Sequence, residues 1–114
     1  VFYTTVSAGT GSFLDGEDYE MYTSPDIPEE ASFGVYVSGD SMEPRYHNEE
    51  LIWIEQTEQL EDGEIGIFYL DGNAYVKKFQ NNGNGTYLVS LNKKYDPIPV
   101  TENNSFKIFG RVLS

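Results

Sequence analysis

The chain has 114 residues, with 19 Asp or Glu against 7 Lys or Arg and a formal net charge of −12. That length holds one domain with one core, and so acidic a piece repels phosphate, which makes it a poor DNA or RNA binder by itself. The absence of cysteine excludes disulfides and thiolate metal sites and suits a reducing cytoplasm.

No segment has the apolar length of a membrane span and no signal peptide opens the chain, so neither a membrane nor an export route is expected. Val1 to Val6 is β-branched and aromatic and suits an extended strand. The run Ser7-Ala8-Gly9-Thr10-Gly11-Ser12 reads two ways, as a flexible linker or as a stretch small enough to enter a narrow cleft. Asp15 to Glu20 is acidic, and Tyr19, Met21 and Thr23 alternate weakly around it. Two prolines make Ser24 to Glu30 a turn-rich connection.

Strand signals dominate from Ser32 onward. Phe33 to Val37 leads into Gly39, and Leu51-Ile52-Trp53-Ile54 has the composition of a buried strand. Ile65 to Leu70 and Asn73 to Phe79 flank Asp71-Gly72, a pair suited to a two-residue type I′ turn. Asn81 to Gly85 forms a second turn before Thr86 to Leu91, and Pro97 to Val100 and Phe106 to Leu113 close the chain. No long 3.6-residue period appears. The fold class is mainly β, a small, strongly bent sheet or partial barrel.

The chemistry centres on Val37-Ser38-Gly39-Asp40-Ser41-Met42-Glu43-Pro44. A glycine permits a sharp bend before Ser41 and a proline stiffens the exit, so the hydroxyl and neighbouring amides face one small volume, as an acyl-transfer nucleophile requires. A hydroxyl needs a base. A lysine serves only when neutral, and its free pKa near 10.4 falls by units when it is buried away from water. Strand alternation after Asp71-Gly72 puts Tyr75, Lys77 and Phe79 on one face and Ala74, Val76 and Lys78 on the other. Lys77, between two aromatic rings, is the lysine that can be kept dry, whereas Lys78 reaches water. His47, six residues from Ser41 beyond Pro44, reads as a surface turn residue. The paired carboxylates Glu17-Asp18, Glu29-Glu30 and Glu49-Glu50 lack calcium-loop spacing and read as solvated surface. No metal or cofactor is expected.

These segments resemble the LexA-like self-cleaving repressors of the peptidase S24 type, which include phage repressors, LexA and the UmuD mutagenesis proteins. The resemblance rests on Val-Ser-Gly-Asp-Ser-Met-Glu-Pro, with Val76-Lys77-Lys78-Phe79 placing Lys77 36 positions after Ser41. It extends to Leu88-Val89-Ser90-Leu91-Asn92-Lys93-Lys94-Tyr95-Asp96-Pro97-Ile98 and to the closing Ile108-Phe109-Gly110-Arg111-Val112. It implies a self-cleaving serine–lysine endopeptidase with Ser41 as nucleophile and Lys77 as general base. The backbone N–H groups of Ser41 and Asp40 would form the oxyanion hole, and Ala8-Gly9, 33 positions before Ser41, would be the scissile bond. Residues 1–12 are then the cleavage segment and 13–114 the protease and dimerisation domain of a prophage-type repressor. Its N-terminal helix-turn-helix domain is absent from this chain. The implied partners are a second copy, an activated RecA–DNA filament that triggers cleavage in the SOS response, and operator DNA through the missing domain. A type I signal peptidase shares the Ser-Met-x-Pro and lysine elements but needs a membrane anchor and a further glycine-rich box. A non-catalytic dimerisation domain would keep the fold without using the dyad, and a UmuD-like polymerase accessory would share the motifs. Ala-Gly in place of Cys-Gly and the Asn-x-x-Tyr-x-Pro-Ile segment favour the repressor.

Overall fold

Alternating apolar residues between tight turns produce a structure built from strands. The computed structural model describes the backbone at 2–7 and 20–21, and backbone and side chains over 27–113. The described residues form nine strands, β1 (Phe2–Ser7), β2 (Glu20–Met21), β3 (Phe33–Ser38), β4 (Leu51–Gln56), β5 (Ile65–Leu70), β6 (Asn73–Asn82), β7 (Gly85–Val89), β8 (Ile98–Val100) and β9 (Phe106–Leu113), and no helix. They form one sheet in the order β2-β1-β3-β4-β9-β5-β6-β7-β8. A further pairing of β1 with β6, Ser7 opposite Tyr75, brings the sheet round on itself. Six strands thus make a ring closed by a single residue pair, the partial barrel that the strand pattern predicts.

Local chemistry accounts for the tightest corners. Asp71 and Gly72 both adopt positive φ, 49° and 93°, as a type I′ turn requires, and join β5 to β6 in register from Leu70–Asn73 to Ile65–Lys78. The Asp71 carboxylate accepts hydrogen bonds from Asn104 Nδ2 and the Ser105 N–H, tying this turn to the start of β9. Gly34 faces Trp53 across β3 and β4, where a Cβ would stand 2.7 Å from the indole. Along β5 and β9 the register shifts between Ile67 and Phe68, leaving Phe109 as the extra residue of a β-bulge.

The two faces of the bent sheet bury separate clusters. Val35, Val37, Ile52, Ile54, Ile67, Ala74 and Val76 pack with Met42 and Tyr46 in one. Phe68, Leu70, Phe79 and Leu88 form the other, with the Phe68 ring stacked between Phe79 and Phe106. Burying each such aliphatic or aromatic side chain contributes roughly 1.5–3 kcal/mol. Strand β6 feeds both clusters, Ala74 and Val76 on one side and Tyr75 and Phe79 on the other. Lys77 therefore lies on a face that should hold an apolar residue.

Candidate active site

Three segments converge on Lys77. The first is the turn after β3. Gly39 takes φ 96° with its N–H held by Asn48 Oδ1 at 2.8 Å, which swings the chain out of the strand. The Glu43 N–H then donates to the Asp40 carbonyl at 3.2 Å and the Tyr46 N–H to the Met42 carbonyl at 3.0 Å, and the Glu43–Pro44 peptide is cis. Met42 and Tyr46 sink into the first core cluster and fasten the turn, so Ser41 is held with no solvent exposure.

The second segment is β6. Lys77 is 2% exposed, whereas Lys78 is exposed. The Lys77 Nζ lies 2.8 Å from Ser41 Oγ, with the Tyr75 ring centroid at 5.8 Å and the Tyr95 centroid at 6.0 Å. The second ring beside the amine is thus Tyr95, from a distant loop, while Phe79 turns into the stack on Phe68. Burial pulls the lysine pKa down from 10.5 to about 8 because a cation out of water loses hydration. Roughly one amine in ten is then neutral at pH 7, against fewer than about one in a thousand for a free lysine.

The third segment, residues 90–95 beyond β7, carries side chains that sequence reasoning does not single out as site residues. Ser90, 8% exposed, has its Oγ 2.8 Å from Lys77 Nζ. Asn92 grips the Ser41 turn twice, its Nδ2 donating to the Asp40 carbonyl at 3.0 Å and its N–H to the Ser41 carbonyl at 2.8 Å. The C=O and N–H of a trans peptide point in opposite directions, so the bond to the Asp40 carbonyl aims the Ser41 N–H away from Asn92. The Asp40 carboxylate pairs with Lys94 Nζ at 2.8 Å and accepts from the Tyr95 hydroxyl. Lys94 first, and then Tyr95, hold its pKa below the usual value. One signal for Ser90 is present in the sequence: it continues the inward alternation of Leu88, where a polar residue must find a partner.

His47 turns outward, 63% exposed, with its Nδ1 3.3 Å from Glu43 Oε1. Among the described residues no three His, Asp or Glu side chains converge as metal ligands, and no helix is long and apolar enough to cross a membrane. The expected scissile pair Ala8-Gly9 lies outside the described residues. Its approach is described: β1 runs parallel to β3 from Phe2–Phe33 to Ser7–Ser38, and Ser7 also pairs with Tyr75. The backbone preceding Ala8 therefore stands three positions from Ser41 along one neighbour and two from Lys77 along the other.

Residues 1–113 match the Peptidase S24-like family. The chain belongs to that family. It is 37% identical over 104 residues to the LexA repressor of Carboxydothermus hydrogenoformans, covering 88% of this chain and 50% of that protein. It is 29% identical over 112 residues to the LexA repressor of Mycobacterium leprae, covering 96% and 46%. It is 35% identical over 75 residues to LexA repressor 2 of Pseudomonas syringae pv. tomato, covering 65% and 37%. The chain spans half or less of the length of these relatives, so what it shares with them is the S24-like domain.

Proposed function

We propose that this S24-like domain cuts its own Ala8–Gly9 peptide bond with a Ser41–Lys77 dyad, and that the cut inactivates a transcriptional repressor. The observation that carries the reading is the 2.8 Å contact between two fully buried side chains, a hydroxyl and an amine whose pKa burial lowers to about 8. The neutral Lys77 amine takes the proton of Ser41 Oγ as the oxygen bonds to the Ala8 carbonyl carbon. The Ser41 and Asp40 N–H groups hold the resulting oxyanion. Collapse breaks the bond to Gly9, whose nitrogen receives the proton from Lys77. Water, deprotonated by the same amine, then hydrolyses the Ala8 ester and restores Ser41.

The substrate is part of the chain, so effective concentration replaces affinity. The pairing of β1 with β3 and β6 supports delivery of residues 8 and 9 to the dyad. Likeness to LexA repressors supports a cytoplasmic, homodimeric repressor whose helix-turn-helix domain precedes this one and contacts operator DNA. In this reading, an activated RecA–DNA filament favours the seated segment. Cleavage then separates DNA binding from dimerisation, and a repressor that grips two half-sites through one dimer loses its hold.

Incubation of the chain at alkaline pH, followed by mass spectrometry, tests this. The expected products are Val1–Ala8 and Gly9–Ser114, formed at a first-order rate independent of protein concentration. Ser41→Ala and Lys77→Ala should each yield none. Cleavage at another bond, or persisting in Ser41→Ala, contradicts the proposal.

A further inference from the structure

We infer that Ser90 is a positioning residue that aims the lone pair of Lys77 at Ser41. The inference rests on the self-cleavage reading above. A neutral amine carries two N–H groups and one lone pair, and proton transfer requires the lone pair to face the Ser41 hydroxyl. Lys77 Nζ has two hydroxyl oxygens at 2.8 Å, Ser41 Oγ and Ser90 Oγ. As an ammonium it donates to both. Once neutral, it keeps one N–H on Ser90, which leaves two settings for the lone pair, and the Ser41 hydroxyl as donor draws it to the one that faces Ser41. Without Ser90 the amine loses that anchor and gains further staggered settings, in which the lone pair no longer faces the nucleophile.

Ser90 also acts on the ammonium form. A hydrogen bond accepted from a cation is worth more than one accepted from a neutral donor, so the Ser90 hydroxyl favours the charged amine and opposes the effect of burial. Removing it moves the proton equilibrium of Lys77 to lower pH while spoiling the aim of the base. Among the described residues, titratable rings beside the amine are Tyr75 on its own strand and Tyr95 on the loop after β7. Behind Tyr95 stand Asp40 and Lys94. All four remain in a Ser90 variant, and the Asp40 carboxylate keeps the Tyr95 hydroxyl protonated beyond its usual range.

The test is the pH–rate profile of self-cleavage in the full chain for the wild type, Ser90→Ala and Ser90→Thr, with folding checked by thermal melting. For Ser90→Ala the expected midpoint is about half to one pH unit lower, with the alkaline plateau down by about threefold. Ser90→Thr, which keeps a hydroxyl, should restore both. An unmoved or raised midpoint, or a Thr variant as impaired as Ala, overturns the inference. The underlying reading fails separately, if Ser41→Ala or Lys77→Ala still cuts. Should Ser90→Ala lose cleavage entirely, NMR titration of 13C-labelled Lys77 in a Ser41→Ala background reads the same downward shift directly. No shift there overturns the inference.

Discussion

At the residue scale, Lys77 sets chemistry against stability. Its pKa is about 8 in the fold and near 10.4 in an unfolded chain, a difference equivalent to about 3 kcal/mol. Between those values the unfolded chain holds a proton that the native one has lost, so stability rises with pH across this window. Below pH 8 both states are protonated and the full penalty of a buried cation remains. In a Ser41→Ala background, which on the proposed mechanism removes cleavage, unfolding free energy should therefore climb by about 3 kcal/mol from pH 7.5 to 10.5 relative to the same protein carrying Lys77→Met. Denaturant titrations at several pH values check this, and parallel curves for the two proteins would refute it. Lys78→Ala, by contrast, should change stability by less than about 0.5 kcal/mol and leave cleavage intact, since that side chain is exposed. The contrast between adjacent lysines is legible in sequence because side chains alternate strictly along a strand. The role of Ser90 is not, since nothing local says that its partner is an amine 13 positions away.

At the element scale, the turn after β3 is shaped from within and braced from without. Its bend follows from Gly39, Met42 and Tyr46, all near Ser41 in sequence. Its brace is Asn92, bonded to the Asp40 carbonyl across 52 positions. Asn92→Ala should lower the cleavage plateau at least about tenfold, because the peptide that carries the Ser41 N–H loses its anchor. The pH midpoint should stay in place, since Lys77 keeps its surroundings. Comparing that profile with the Ser90→Ala profile separates aiming the oxyanion donor from aiming the base. The β5–β6 hairpin, by contrast, is written into two adjacent residues. Gly72→Val puts a branched side chain at φ 93° and should cost about 1–2 kcal/mol, measured as a lower denaturant midpoint. The Asp-Gly turn and the bounds of β9, Phe106–Leu113, are legible in sequence because they depend on neighbours along the chain. The clamp formed by Asn92, Lys94 and Tyr95 depends on where β7 leaves the chain, and in sequence it shows only as a likeness to LexA-like repressors.

At the scale of the whole molecule, the class of fold is legible in the sequence and the order of strands is not. Short apolar runs between turn pairs announce a bent sheet. Insertion of β9 between β4 and β5, and the parallel pairing of β1 with β3, are long-range choices that no window of sequence encodes. Those choices bring the backbone that precedes the proposed scissile pair beside Ser41 and Lys77, because the ring closes where Ser7 meets Ser38 and Tyr75. The charge of −12 belongs to this scale too, and the chain alone should leave duplex DNA unretarded in a gel at about 0.1 M salt. A buried neutral amine driving an intramolecular cut is the central claim, and the rate of Val1–Ala8 release as a function of pH measures it most directly. The rate should rise about tenfold per pH unit and level off with a midpoint near 8, the value set by burial of Lys77. A profile that is flat, or one that keeps climbing past pH 10 as an exposed lysine would require, would contradict it.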